Sequence, residues 1–193
     1  MNPRVFMVLV ALSAAGAHAG QEYTIDTAHS QIGFSVKHMV ISTVYGTFSE
    51  YTGKILYDAQ DITQSSVEGV IKVASINTAN ARRDADLRSA SFFDVATWPE
   101  ILFKTRKIEK KGDHYLAWGD LTMHGITREI ALDFEITGKI TDSGGHERIG
   151  LTATGTLKRM DFGITWNAKL DNGGVVVSDE VNLRIDAEFV KKE

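Results

Sequence analysis

Along most of the chain apolar residues fall at every second position, the period of a β-strand with one buried face. Ile32, Phe34 and Val36 share a face opposite Gly33, Ser35 and Lys37. Val44 to Phe48 and Lys54 to Tyr57 read as two strands joined around Tyr51-Thr52-Gly53. Val67, Gly69, Ile71 and Val73 alternate with Glu68 and Lys72. Ile101 and Phe103 open a strand that ends at the polar turn Lys110-Lys111-Gly112-Asp113. Tyr115 to Met123 returns, and His124-Gly125 breaks it. Ile126, Ile130, Leu132, Phe134 and Ile136 form the clearest inward face. Leu151 to Lys158 alternates again, and the last strand carries Val181, Leu183, Ile185, Ala187 and Phe189 inward. Thr141 to Gly145 and Asp171-Asn172-Gly173-Gly174 read as turns. The pattern predicts an all-β fold, an eight-stranded antiparallel barrel. Its interior would admit packed side chains or one ligand. Gly33, Gly69, Gly119 and Gly155 sit inside strand patterns, where glycine marks bends or bulges.

The stretch from Asn80 to Phe103 breaks this period. Arg82, Arg83, Asp84, Asp86 and Arg88 crowd five charges into seven positions, and Phe92-Phe93 follows. It predicts one short helix, capped by Asn77 or Thr78, with Asp84 and Arg88 placed to pair at i,i+4. Pro99 forces Trp98 out of helical geometry and ends the segment. A lone helix with an aromatic exit is suited to plug or rim a barrel.

The first residues change the setting. Arg4, the apolar run Val5 to Ala15 and the small-x-small triplet Ala17-His18-Ala19 predict a signal peptide over 1–19, with the mature domain at 20–193. The apolar run is too short to cross a bilayer, and the expected location is the periplasm. Of 21 Lys and Arg only Arg4 precedes the cut, so 20 face 25 Asp and Glu and the mature net charge is near −5. That speaks against nucleic acid as a partner. The chain has no Cys, so neither disulfides nor a lipidated cysteine are expected, and the core must carry stability.

Candidate chemistry is sparse. The sequence holds no phosphate-cradling loop, nucleophile elbow or zinc-protease motif. His29, His38, His114, His124 and His146 show no ligand spacing, so no metal, cofactor or catalytic residue is expected. Arg128 shares a strand face with Ile126, Ile130 and Leu132, so its register points inward or to the rim. It either meets the polar head of a ligand or pairs with a rim carboxylate. Arg82, Arg83 and Arg88 pose the same choice. The aromatics Phe34, Phe48, Phe92, Phe93, Phe103, Trp118, Phe134, Phe162 and Trp166 are either core or the lining of a long tunnel.

Several stretches together resemble the YceI-like family of exported, lipocalin-like proteins. They are Tyr23-Thr24-Ile25-Asp26 with His29-Ser30-Gln31-Ile32-Gly33-Phe34; Arg83-Asp84 with Leu87-Arg88-Ser89 and Phe92-Phe93-Asp94-Val95; Trp98-Pro99-Glu100-Ile101 before Phe103; Gly119-Asp120-Leu121-Thr122 with His124-Gly125-Ile126-Thr127-Arg128; Arg159-Met160-Asp161-Phe162-Gly163-Ile164; and Val177-Ser178-Asp179-Glu180-Val181. Asp86 and Ser91 depart from the pattern, standing where a His and an Asp are common. The resemblance covers the mature chain and implies an extended lipocalin-like barrel with a polyisoprenoid or related long-chain lipid, an isoprenoid quinone among them, threaded through its lumen. On that reading Phe34, Val36, Phe48, Leu87, Phe92, Phe93, Phe103, Leu132, Phe134, Phe162 and Trp166 line the lumen. Arg83, Asp84, Arg88 and Arg128 make polar contacts. The function expected is binding, transport or storage. An enzyme acting on a lipid or quinone in the barrel, and a protein-interaction module with a packed interior, are the alternatives. An exposed strand or the helix could support a homodimer, and no feature demands one.

Overall fold

The structure, a computed structural model, describes residues 20–168 and 174–193. The expected signal segment at 1–19 and residues 171–173 of the expected turn lie outside the described residues. The strands are β1 (Gln21–Ile25), β2 (Gln31–His38), β3 (Ser42–Phe48), β4 (Tyr51–Tyr57), β5 (Ser66–Lys72), β6 (Ile76–Asn77), β7 (Glu100–Lys111), β8 (His114–Met123), β9 (Ile126–Thr141), β10 (Glu147–Lys158) and β11 (Val177–Lys191). The helix α1 spans Ala81–Arg88. Eight strands close an antiparallel barrel in the order β1-β4-β5-β7-β8-β9-β10-β11, because β1 pairs with both β4 and β11. β2, β3 and β6 extend the sheet from β11. The eight-stranded barrel with one short helix is thus as the alternation indicates. Two short strands lie outside the alternation read from the sequence: β1, which closes the barrel, and β6, which pairs with β3.

The last strand organises closure. One edge of β11 pairs with β10 from Lys158↔Glu180 to Arg148↔Val190. Its other edge is shared in series. β2 takes Val177 to Asp186, and β1 takes Phe189 to Lys191. β6 pairs with the end of β3 and α1 packs beside β6; the end of the barrel at which β11 begins, beside the β2–β3 turn, is the upper end. The lower end is the one that carries the β9–β10 turn.

Two packed clusters bound the interior, and a smaller third one, Ile108, Ala117 and Leu132, lies in its wall. At the lower end Tyr23 and Ile149 are fully buried among Ile55, Ala187 and Phe189. At the upper end Val73, Ile76 and Phe162 are fully buried, and Leu87, Phe92 and Phe93 from the helical segment pack against them. Below the upper cluster, inward residues such as Ile32, Phe34, Ile130 and Leu183 pack against it on one side yet are only half-buried. A packed core would cover them, so they face an internal space.

The helix is held by local chemistry the sequence reading misassigned. Its N-cap is Asn80, not Asn77 or Thr78. The Asn80 side chain accepts the Arg83 backbone N–H at 3.0 Å, while Asn77 accepts from Ala79 N–H in the preceding turn. Asp84 does not pair with Arg88. Its buried carboxylate accepts from the Thr78 backbone N–H (2.9 Å) and hydroxyl (2.5 Å). Arg88 instead donates to the carbonyls of Ala74 (2.8 Å) and Ile76 (2.7 Å). A carboxylate buried this way is compensated by donors, and a guanidinium by carbonyls.

A charge network clamps the lower end. Arg148 donates to Asp26 (2.9 Å), Asp142 (2.7 Å) and Glu188 (2.5 Å), and Lys139 and Lys191 both meet Glu147 at 2.7 Å. Hydrogen bonds from His29 and Arg148 lower the Asp26 pKa to about 2, against the usual 3.8. Those from Lys139 and Lys191 lower the Glu147 pKa to about 2, against 4.5. A carboxylate depressed on folding contributes stability above its unfolded pKa and loses it as pH falls through the folded value. The melting temperature is therefore expected to fall between about pH 4.5 and pH 2. Thermal melts across that range check this, and Arg148→Met should flatten the slope.

The β2–β3 turn is strained and apolar. Met39 and Val40 both hold positive φ, 50° and 65°, and Ile41 N–H closes the turn on the His38 carbonyl. Two left-handed central residues in a hairpin favour Asn-Gly, and a β-branched residue there is disfavoured. Val40 and Ile41 are also exposed, at 71% and 87%. Replacing Met39-Val40 by Asn-Gly is expected to stabilise the fold by about 1–2 kcal/mol, read as a melting temperature higher by a few degrees.

Candidate functional site

The space between the clusters is a cavity of about 250 Å³ inside the barrel. Its wall comes from β1 to β5, β7 to β11, α1 and the segment after α1. Strand alternation makes it apolar. Residues at every second position share a face, and these strands carry Val, Ile, Leu and Phe at that period.

Of the side chains expected to line a lumen, Phe34, Val36, Phe48, Leu87, Phe92, Phe93, Phe103, Leu132 and Phe134 do so. Their rings meet in pairs. Phe34 lies 5.7 Å from Phe48, and Phe48 lies 6.5 Å edge-to-face from Phe93. Phe162 and Trp166 do not reach the cavity. Phe162 is buried in the upper cluster, where the short turn after β10 folds it into the upper end of the barrel. Trp166 is half-exposed and rests on Phe92 at 5.0 Å. Chain reversal after Lys158 decides both positions, and periodicity does not register a reversal.

The four expected polar contacts are elsewhere. Arg83 donates from Nε to the Thr78 hydroxyl and from its terminal nitrogen to the Thr78 carbonyl, both at 2.8 Å. With Asp84 and Arg88 it ties α1 to the segment before it, and none of the three lines the cavity. Arg128 stands opposite Leu121, on the inward register, yet its side chain is exposed and its guanidinium donates to the Thr127 carbonyl at 3.2 Å. It lies outside the lining, at the end of the barrel.

The polar residue in the wall is one that sequence reasoning passed over. Arg159 is buried, and its pKa is lowered by desolvation. Its guanidinium donates to the carbonyls of Ile164 (2.6 Å), Trp166 (2.8 Å) and Ser178 (3.0 Å). It thereby fastens the segment after β10 to the start of β11. Glu68 also borders the cavity, but its carboxylate turns outward to Lys54 (3.0 Å) and Lys104 (2.9 Å). What faces the lumen is hydrocarbon.

Small residues shape that hydrocarbon surface. A Cβ on Gly46 would come within 2.3 Å of the Phe34 ring, so glycine there lets the ring lie flat on β3. Gly69 is different. It stands on the inward face of β5 between Val67 and Ile71, opposite Phe103, and a Cβ there would meet only the Thr52 carbonyl oxygen, at 3.7 Å. Gly69 therefore holds the cavity open without any packing demand.

Among the described residues one group could offer three metal ligands, Asp26, His29 and Glu188, whose ligand atoms lie within 4.8 Å of one another. Arg148 already donates into both carboxylates, and the group is better understood as an ion-pair network.

Comparison with known proteins fits this geometry. The family model described as YceI-like domain matches residues 23–189. The chain belongs to the YceI-like family. A UPF0312 protein of Photorhabdus laumondii is 36% identical over 184 residues, covering 94% of this chain and 92% of that protein. The crystal structure of the Campylobacter jejuni YceI protein is 35% identical, covers 87% of this chain and 96% of its own, and superposes with a TM-score of 0.71. A polyisoprenoid binding domain from Saccharophagus degradans shares 16% identity and a TM-score of 0.62 over 88% of this chain and 98% of its own. At that identity it speaks to the fold alone.

Filling the YceI-like lumen from Gly69 gives a direct test of its use. Gly69→Leu is expected to fold at least as stably, since glycine weakens a strand interior. It should lose roughly tenfold or more in uptake of any ligand bound inside. Thermal melting and a fluorescent lipid-displacement titration measure the two effects.

Proposed function

We propose that this protein binds a long-chain isoprenoid lipid, a polyprenyl chain or an isoprenoid quinone, in the barrel lumen, and carries or stores it in the periplasm. The observation that carries this reading is the closed barrel around a lumen walled by hydrocarbon. Such a wall holds a chain by removing apolar area from water, at about 25 cal/mol per Å². Branched methyls and flat trisubstituted double bonds suit the mixture of aliphatic side chains and tilted rings on this wall. A domain of the same fold, from S. degradans, is described as polyisoprenoid binding, so the fold accommodates that ligand class. The signal-peptide pattern over 1–19 supports the compartment.

The buried part of the ligand is all tail. Among the described residues the charged groups in the wall are engaged by other protein groups, so the head group lies at an end of the barrel and specificity rests on the shape and length of the chain. The same lining argues for binding over chemistry. General acid–base work needs a titratable group within reach of the substrate, and the charged residues in the wall, Arg159 and Glu68, are taken up by carbonyls and lysines.

Native mass spectrometry of the protein purified gently from a periplasmic extract, followed by solvent extraction of the adduct, tests the proposal. A stoichiometric polyprenyl or quinone mass is expected. Phe92→Asp, which puts a charge into the wall, should retain the fold and lose the adduct. Protein that emerges empty and takes up no added isoprenoid overturns the reading, as does a folded Phe92→Asp protein that keeps its lipid.

A further inference from the structure

A second, smaller cavity of about 30 Å³ lies beyond the first, toward the lower end. Both cavities are walled by the same three residues, Val67, Phe134 and Leu151. The arrangement is regular along each strand. On β9 the inward residue above, Leu132, faces the large cavity, the one below, Ile136, faces the small one, and Phe134 faces both. On β10 Ala153 faces the large cavity, Ile149 the small one, and Leu151 both. On β5 Gly69 belongs to the large cavity, Ser66 and the preceding Ser65 to the small one, and Val67 to both. Cross-strand register puts Phe134 opposite Ala153 and Leu151 opposite Ile136, one inward step apart. The three side chains therefore stand between the two cavities as a septum, staggered by one inward step between β9 and β10.

Phe134 is its largest member. Its ring stacks on Tyr115 of β8, with centroids 5.4 Å apart and planes 26° from parallel. Its register partner on the neighbouring strand β10 is the small residue Ala153. Large beside small at paired positions is how a ring is held in one place without strain. Below the septum Ile149 and Ile55 are buried, and Tyr57 and Ile62 complete the small cavity. There is lined space on both sides of the ring.

We infer that Phe134 is a length stop: it ends the lumen, and so sets the longest isoprenoid chain that can be fully enclosed. The inference rests on the lumen being the lipid site. The driving force scales with apolar area buried, so affinity should rise with each isoprene unit until the chain end reaches the ring. A further unit then has to remain in water or bend back.

The test is a binding series of linear isoprenoid alcohols that differ by one isoprene unit. Displacement of a fluorescent lipid is read for the wild-type protein, Phe134→Ala and Leu151→Ala. Truncating either septum residue joins the two cavities, so the preferred chain should lengthen by at least one unit. The longest alcohols should gain roughly tenfold in affinity, while the shortest are held no better than before. Two variants guard against one failing to fold, and circular dichroism verifies each. Folded variants that bind with an unchanged length optimum overturn the stop and leave the lipid-binding reading standing. A wild-type protein that binds no alcohol of any length overturns both.

Discussion

Hydrogen bonding along β11 is the constraint on which the rest depends. A barrel needs every strand edge paired, and the edge of β11 away from β10 is too long for either N-terminal strand alone. Two strands share it, β1 low and β2 high, with the turn between them crossing over at Asp26 to Ser30. The Tyr51 hydroxyl donates to the Ser30 carbonyl at 2.6 Å, and the Ser30 hydroxyl exchanges hydrogen bonds with Glu188 of β11, fastening the crossover. The first and last described strands are thereby zipped together. No stretch of barrel edge is left to open there.

Closure by backbone is what permits a hollow interior. A protein that relies on side-chain packing alone cannot leave 250 Å³ unfilled, because each lost contact weakens it. Here the wall is held by ladders, and packing is concentrated in a lower cluster around Tyr23 and Ile149 and an upper one around Ile76 and Phe162. The ion pairs of Arg148 sit outside the lower cluster. Above, Arg83, Asp84 and Arg88 join the helix to its neighbours. Arg159 does the same for the segment after β10. Four charged side chains thus form the upper structure while presenting almost nothing polar to the lumen. The division suits a carrier, in which polar groups fix the shell and hydrocarbon meets the cargo.

The sequence by itself determined the strands, and for a physical reason. The inward face of a barrel strand is a local property, legible as alternation in Ile32 to Val36, in Ile126 to Ile136 and in Val181 to Phe189. Where a lining residue sits on such a strand, as Phe34, Leu132 and Phe134 do, period and lumen coincide. The odd segment from Asn80 to Phe93 was equally legible as a helix with an aromatic exit, and Leu87, Phe92 and Phe93 do reach the cavity.

Only the tertiary structure decided what the charges do and where the cavity stops. An arginine close to an aspartate in sequence reads as a surface pair or a ligand contact. Whether it meets a carboxylate, a carbonyl or solvent depends on chain segments that fold back on it, as Thr78 does on Arg83 and Asp84. Arg128 lies on the inward register but at the strand's end, so its side chain passes into solvent. Phe162 and Trp166 follow a reversal that no period encodes. Hollow and packed barrels share one alternation, because period fixes the direction of a side chain and not the distance to what faces it. That distance comes from the circumference of the closed sheet, and it is what leaves Gly69 facing open space and Phe134 standing between two cavities.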